Sequence, residues 1–345
     1  MSFSYFNPLT GKQERFDLKE CITPEDLRRM TGMRFDANDT AFFARQLEEI
    51  YTQTYDIEYP ELKGRKLIPV DTRVNPGANS FTYRQFDKKG QANIVHNYAD
   101  DFPNAEVVGV EWTQNVVSLG NSYQYSIQDM RAAAMAGIQL EAMKANAARE
   151  LMERKLDTLS AIGDSATGLV GLTNAPNISS VTVSTGASSG QTAWCSTAGV
   201  GTGKTVAEIL LDINNMQAKI FNATLGIHTP DTLVLPTSCY GFLATTARST
   251  TFTEDSMLQY ILKQSPWIKN IEFWTQLNTA GASSKGRVML YKRDPKILQL
   301  IIPQEFEQLP PQPRNMAWVI PCHMRTGAVE VRYPLAVAYM DGCDQ

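Results

Sequence analysis

Cysteine and histidine are scarce in this sequence, and neither forms a recognisable pattern. The 345 residues include five cysteines and three histidines. The cysteines are odd in number and widely scattered, which excludes a small disulfide scaffold and indicates reduced thiols in a cytosolic protein. They stand at Cys21, Cys195, Cys239, Cys322 and Cys343.

The histidines do not form a metal-binding motif. Among His96, His228 and His323 no two are four residues apart, so the sequence has no histidine-based zinc motif. Cys322 directly precedes His323, but neighbouring residues of a strand point to opposite faces and would not share a metal. We therefore predict neither a metal nor a cofactor.

Long apolar runs and long basic runs are also missing. No stretch approaches the roughly 20 apolar residues that a membrane-spanning helix requires. The N-terminal segment MSFSYFNPLTGKQERF lacks the apolar core of a signal peptide. The formal net charge is -4, which argues against a dedicated nucleic-acid-binding protein. These absences favour a protein that does not act in a membrane.

The segment AGVGTGKT, residues 198–205, resembles a phosphate-binding loop. Gly203, Lys204 and Thr205 match the pattern G-x-x-x-x-G-K-[ST], but Ala198 stands where the first glycine is required. The preceding segment SSGQTAWCST is polar, whereas the motif requires a buried strand at that place. We interpret the segment as a loop before a helix, and we expect Lys204→Ala to change nothing.

Two further patterns resemble catalytic sites only formally. GASSG, residues 186–190, matches G-x-S-x-G around Ser188, but the following segment QTAWCST does not predict the helix that a nucleophile elbow requires. Asp100 and Asp101 lie in the turn-like segment NYADDFPN, which favours a solvated turn over a catalytic pair. We therefore predict no catalytic residue and no enzyme.

The first 60 residues favour short helices. In TPEDLRRM, Thr23 is a suitable N-cap and Pro24 occupies the first helical position. The segment DTAFFARQLEEIYTQTY predicts a second helix. Its apolar face contains Phe42, Phe43, Leu47 and Ile50.

Residues 66–119 change to a β-type pattern. Residues 80–86 alternate without a continuous apolar face, which predicts an extended hairpin that is partly exposed on both sides. Residues 87–90, DKKG, are predicted as its tip because Gly90 can adopt a positive φ. EVVGVEWTQNVVSLG, residues 106–120, predicts one or two further strands.

Residues 126–162 carry the strongest helical pattern. Ser126 and Asp129 resemble a capping box, and Gly163 is a natural stop. A single helix of this length would extend about 55 Å, and we expect it to lie across a sheet. Its apolar positions recur every three or four residues: Ile127, Met130, Ala134, Ile138, Ala142, Ala145, Ala148, Met152, Leu156 and Leu159.

The remaining chain predicts a second, α/β domain. After Pro176 a polar loop contains a short strand at residues 181–184. A helix at residues 205–224 ends at Gly226, and a strand follows at Thr232–Leu235. Shorter helices and strands alternate to the C-terminus, where closing strands are expected.

This order of elements resembles the tailed-bacteriophage major capsid protein family, whose fold is shared with herpesvirus capsid floors and bacterial encapsulin shells. SIQDMRAAAMAGIQLEAMKANAARELMERKLDTLSAIGD matches the spine helix of that family. GLVGLTNAPNI matches the segment that commonly follows it, and TLVLPTSCYGFLATT resembles an axial-domain strand and helix. The resemblance covers residues 67–342 and rests on the order and lengths of the elements.

The resemblance implies an α+β fold with five parts. They are an N-terminal arm at 1–60, an extended β-hairpin loop at 61–119, a peripheral domain with the spine helix at 120–176, an axial α/β domain at 177–310, and closing strands at 311–345. A two-stranded hairpin is marginal on its own, so we expect its side chains to contact neighbouring subunits. The expected contact residues are Phe81, Tyr83, Phe86, Lys88 and Lys89.

The family implies a structural role. The chain is expected to form hexamers and pentamers of an icosahedral shell, assembled in the host cytoplasm and found in the virion capsid. Double-stranded DNA would be enclosed without sequence-specific contacts, and scaffolding, portal or decoration proteins are expected partners. Because only residues 1–60 precede the hairpin, scaffolding is expected to be a separate protein, or a leader has been lost.

Two alternatives stay open at this point. The first is an encapsulin-type nanocompartment shell, which has the same fold. The second is a soluble NTPase or hydrolase that uses GTGKT or GASSG.

Overall fold

The structure is a computed structural model that describes residues 2–7, 12–17, 59–94, 102–137, 139–195, 203–247 and 255–344. The chain divides into two units, Met1–Tyr59 and Pro60–Gln345. In the first unit, Ser2–Asn7 and Lys12–Asp17 form an antiparallel hairpin that the sequence did not predict. The predicted helices near Thr23 and at 39–55 lie outside the described residues. So do Cys21, His96, Asp100, Asp101 and Ile138.

The described residues form eighteen strands in chain order. They are β1 Ser2–Asn7, β2 Lys12–Asp17, β3 Val70–Asp71, β4 Ser80–Lys89, β5 Glu106–Asn115, β6 Val117–Ser126, β7 Gly163–Asp164, β8 Leu169–Val170, β9 Ser179–Thr182, β10 Thr232–Leu235, β11 Asn270–Phe273, β12 Arg287–Tyr291, β13 Leu298–Ile301, β14 Gln304–Gln308, β15 Gln312–Arg314, β16 Ala317–Thr326, β17 Ala328–Val331 and β18 Val337–Asp341.

The described part of the chain also contains six α-helices and three short 3₁₀ helices. The α-helices are α1 Gly64–Leu67, α2 Ile127–Ala136, α3 Leu140–Ala161, α4 Val206–Ala223, α5 Thr237–Thr245 and α6 Met257–Gln264. The 3₁₀ helices are Thr275–Thr279, Ala282–Ser284 and Pro334–Ala336.

A five-stranded sheet lies at the centre of the second unit, in the order β11-β10-β12-β18-β9. Successive side chains of a strand point to opposite faces, and in β10, β12 and β18 they alternate between two apolar cores. The first core receives Val234, Met289, Tyr291, Val337 and Tyr339. The second receives Leu233, Leu235, Val288, Leu290, Ala338 and Met340.

Helix α4 covers one face of this sheet. Ile209, Ile213, Met216 and Ile220 recur at helical spacing and are buried in the second core. The N-cap residue Thr205 and Glu208 form a capping box. The predicted helix at this position and the predicted strand Thr232–Leu235 are therefore confirmed, while the strand predicted at 181–184 lies two residues earlier, in β9.

The predicted single helix at 126–162 is wrong, because the structure has two helices there. The capping box of Ser126 and Asp129 begins α2 as predicted. Gly137 then adopts a left-handed conformation with φ 69°, and its N–H bonds to the carbonyls of the last turn. Such a glycine ends a helix, so α3 begins separately at Leu140.

Helix α3 lies across strands, as expected. Ala148 contacts a cluster with Tyr125 of β6 and with Ile320 and Cys322 of β16. β6 and β16 pair antiparallel over their whole length. Further along, Met152 and Leu156 enter the first core, so the predicted apolar stripe is buried from Ala148 onward.

Candidate assembly surface

Strands β4 and β5 form a long two-stranded hairpin. They pair antiparallel from Ser80 opposite Asn115 to Lys89 opposite Glu106. The predicted tip at 87–90 is wrong, because β4 continues to Lys89 and the connection to β5 starts at Gly90. Gly90 does have a positive φ, 147°, but it stands at the end of the paired region.

The base of the hairpin is attached to the body of its own subunit. Gln85 Nε2 donates to the Arg332 carbonyl at 2.7 Å, and Gln114 Nε2 donates to the Val329 carbonyl at 3.1 Å. The Arg332 guanidinium lies 5.6 Å from the centre of the Tyr83 ring. These contacts fix the direction in which the hairpin leaves the body.

The five predicted contact residues are divided between the two parts of the hairpin. Phe81 and Tyr83 are half-buried at the base, where Phe81 lies close to Gly327. Phe86, Lys88 and Lys89 are exposed on the outer part. The structure therefore does not bring the five together as one surface.

Strand β5 also exposes apolar side chains that the sequence did not predict as contacts, both on the outer part and, at Trp112, opposite the base residue Tyr83. Trp112 is 49% exposed and Val107 is 64% exposed, while Phe86 is 69% exposed although its ring lies over Gly109. The apolar residues of EVVGVEW, at 106–112, are the sequence signal for this surface, and they predict a strand equally well. Val108 and Val110 extend this apolar surface.

A groove of about 1340 Å³ separates the hairpin from the opposite part of the body. Tyr83, Phe86 and Trp112 line its hairpin side. Leu225 and Ile227, which follow α4, line the other side and are 89% and 74% exposed. Both sides of the groove thus present apolar side chains to solvent.

A second exposed apolar surface lies on α2. None of the residues of this helix is buried. Met130 and Met135 are 50% and 94% exposed, and the neighbouring Met316 and Trp318 are 64% and 38% exposed. Ile127, Met130 and Ala134 of the predicted apolar stripe therefore face solvent rather than a core.

Lys204, the lysine of the GTGKT segment, is fully buried. Its ammonium group lies 2.5 Å from Asp212 Oδ2 in α4. The same carboxylate accepts a hydrogen bond from Trp194 Nε1 at 2.8 Å. A lysine that binds phosphate must be able to reach its ligand. The buried Lys204 instead stabilises the fold through its ion pair with Asp212.

The GASSG segment is held by Glu208 at the start of α4. Backbone N–H groups of Ser188 and Ser189 donate to its Oε1 at 2.7 and 3.2 Å. Hydrogen bonds from the backbone of Thr205 and of Ser188 lower the pKa of Glu208 to about 2. Ser188 is thus part of a loop that is fixed by a carboxylate, and no histidine pairs with it among the described residues.

The described histidines do not share a site with the described cysteines. His228 lies against Tyr333 with ring centres 5.3 Å apart, and burial lowers its pKa. Cys322 is buried while His323 is half-buried on the other face of β16, as the strand alternation predicted. Across the described ranges, no group of three or more His, Cys, Asp or Glu side chains is arranged to hold a metal.

None of the described helices has both the length and the apolar character that crossing a bilayer requires.

The fold is similar to that of solved structures of capsids and of a virus-like particle. The capsid of Myoviridae phage XM1 aligns with a TM-score of 0.73 at 18% identity, covering 87% of this chain and 98% of that chain. The virus-like particle from Pyrococcus furiosus aligns with a TM-score of 0.52 at 15% identity, covering 80% of this chain and 91% of that chain. The capsid of an empty GTA particle aligns with a TM-score of 0.57 at 12% identity, covering 89% of this chain and 99% of that chain.

A family model described as "Major capsid protein" matches residues 90–343, and the chain belongs to this family. It is therefore a structural protein of a virion capsid and not an enzyme. The resemblance to tailed-bacteriophage major capsid proteins and the α+β capsid fold are confirmed. No curated protein sequence is significantly similar to the chain.

Proposed function

We propose that this chain assembles into hexamers and pentamers that close an icosahedral phage head around double-stranded DNA. The hairpin carries the proposal, because its outer part exposes Phe86, Val107 and Val108 while its base is bound to the body. Two strands alone are marginal in water. A neighbouring subunit that covers the outer part would remove this apolar surface from water.

The five-part organisation implied by the family belongs to the same proposal. Residues 1–60 form the arm and 61–119 the extended loop. The peripheral part spans 120–176, the axial part 177–310 and the closing strands 311–345. The two apolar cores on either side of the central sheet support a body from which the hairpin projects.

The proposal includes partners and a place of assembly. Assembly takes place in the host cytoplasm, with scaffolding, portal or decoration proteins as further partners. The packaged DNA is held without sequence-specific contacts, which the formal charge of -4 supports because a tightly binding wall would be basic.

A shortened hairpin tests the role of its outer part. We replace residues 86–109 with Asn-Gly, which keeps the pairs from Ser80 to Gln85 and closes them with a two-residue turn. The base contacts of Gln85 and Gln114 are retained, so the subunit should fold and melt as the wild type does. It should form no stable closed shells in negative-stain electron microscopy.

The control for this variant is Thr82→Ala. Its hydroxyl bonds to that of Thr113 across the hairpin, and its loss leaves the apolar surface intact, so shells should form normally. Trypsin should also cut after Lys88 and Lys89 in free subunits and spare both sites in shells. Normal shells from the shortened chain, or its failure to fold, would contradict the proposed role.

A further inference from the structure

Two buried thiols stand side by side in the second core. The Sγ atoms of Cys195 and Cys239 are 3.6 Å apart. Cys239 lies in α5, and Cys195 lies in the segment that precedes α4. Neither forms a disulfide in the structure, and a disulfide requires an S–S separation shorter by about 1.5 Å.

We propose that Cys195 and Cys239 form a latent disulfide that stays reduced during assembly in the cytosol and closes when the protein meets an oxidising environment. The bond would link residues 44 positions apart in the chain. It would fasten the segment before α4 to α5 and to the apolar core that both enter. The modification belongs to the single subunit and does not depend on the proposed shell.

The exposure of the two thiols sets the order of the chemical steps. Cys195 is 7% exposed and Cys239 is fully buried, so a small oxidant reaches Cys195 first. With glutathione disulfide, the Cys195 thiolate attacks one sulfur, forms a mixed disulfide and releases one glutathione thiolate. The Cys239 thiolate then attacks Cys195 Sγ and releases the second glutathione. The protein loses two protons and two electrons, and glutathione disulfide becomes two thiols.

The environment of the pair explains why it can stay reduced during assembly. The hydrogen bond with Cys239 and burial raise the pKa of Cys195. At Cys239 the hydrogen bond with Cys195 lowers the pKa. The hydrogen bond with Cys343 and burial outweigh this effect and raise the pKa of Cys239 well above its ordinary value. Only the thiolate is a nucleophile, so oxidation is slow at neutral pH and faster at alkaline pH.

Peptide mapping of the oxidised full-length chain tests the proposal. Folded protein is incubated with glutathione disulfide, trapped with acid, alkylated and digested. We expect a disulfide-linked peptide pair containing Cys195 and Cys239, the loss of two titratable thiols per chain, and a higher melting temperature that a reductant reverses. Chain unfolded in denaturant and oxidised in the same way shows that the oxidant is active.

Single variants separate this chemistry from a general effect on packing. In Cys239→Ala, glutathione should remain attached to Cys195, because the second thiol is missing. In Cys195→Ala, Cys239 should acquire no adduct. The control Cys322→Ala removes a buried thiol from a different apolar cluster and should form the disulfide at the wild-type rate.

Peptide mapping of the wild-type chain tests whether the Cys195–Cys239 disulfide forms, even if a variant fails to fold. The proposal is overturned if folded chain yields no Cys195–Cys239 peptide under conditions that oxidise the unfolded chain. It is also overturned if Cys239 acquires glutathione before Cys195 does.

Discussion

A buried ion pair fixes the start of α4 to the segment before it. Lys204 and Asp212 have 0% and 3% of their side chains exposed. The Lys204 backbone N–H bonds to the Ala193 carbonyl, and Trp194 donates to the same carboxylate as Lys204. Two charges buried in a protein interior are tolerated only as a pair, because removal of one leaves the other without compensation for its lost hydration.

At this residue scale we predict that Lys204→Ala destabilises the subunit. The substitution leaves Asp212 buried without a cation, which costs about 3–5 kcal/mol in the free energy of unfolding. Urea denaturation followed by tryptophan fluorescence measures the change. Nucleotides should not change the stability of either protein.

The double variant Lys204→Met, Asp212→Asn is the control for this prediction. It removes both charges and keeps an acceptor for Trp194 Nε1, so most of the lost stability should return. A single variant as stable as the wild type would show that the pair contributes nothing.

The sequence could not show the role of Lys204. The expectation that Lys204→Ala changes nothing followed from a missing strand before a phosphate-binding loop. That reasoning concerned nucleotide binding and did not consider a buried partner for the lysine. Its partner Asp212 lies eight residues further on, inside a helix whose orientation toward Lys204 depends on tertiary packing.

Helix α3 shows at the element scale how one face of a helix carries the stability. Leu156 is 1% exposed and enters the first core, whereas Leu151 is 54% exposed. Asp157 on the same turn accepts hydrogen bonds from Gly64 N and Trp274 Nε1. This face therefore joins α1, the central sheet and the first core.

We predict that Leu156→Asp costs at least about 4 kcal/mol in the free energy of unfolding, because it removes a core side chain and buries an unpaired carboxylate. The same substitution on the exposed face, Leu151→Asp, should cost less than about 0.5 kcal/mol. Guanidinium denaturation of both variants checks the difference. Equal stabilities would mean that the buried face is assigned wrongly.

Local sequence signals predicted which helices and strands form better than they predicted the residues at which these elements begin and end. The capping box at Ser126 and the stop at Gly163 were readable because caps are local chemistry. The break at Gly137 was missed because strong helix formers surround it. The turn residues of DKKG suggested a tip, but the pairing of Lys89 with Glu106 across the hairpin is a non-local contact.

At the scale of the whole molecule, the fold depends on pairings between distant segments. In the central sheet β18 lies between β12 and β9, and it pairs in parallel with β9. Sequence periodicity does not predict such an order. The family was nevertheless recognisable, because the order and lengths of elements persist where identity to the phage XM1 capsid is only 18%.

The division between a fixed base and an exposed outer hairpin links the subunit to the shell. The base is bound by Gln85 and Gln114, while the outer part presents Phe86 and Val107 to solvent. The sequence predicted the hairpin and its need for a partner. It did not predict which side chains the subunit itself would cover, since that depends on β17 and Arg332.

Cryo-electron microscopy of particles formed by the expressed chain measures whether a neighbouring subunit covers the outer hairpin. We predict closed icosahedral shells of hexamers and pentamers, with Phe86 and Val107 of each subunit covered by a neighbour and the contacts of Gln85 and Gln114 kept within the subunit. Shells in which the outer hairpin stays uncovered by any neighbour would contradict this prediction. So would a chain that remains monomeric under all assembly conditions, with its scaffolding partner present.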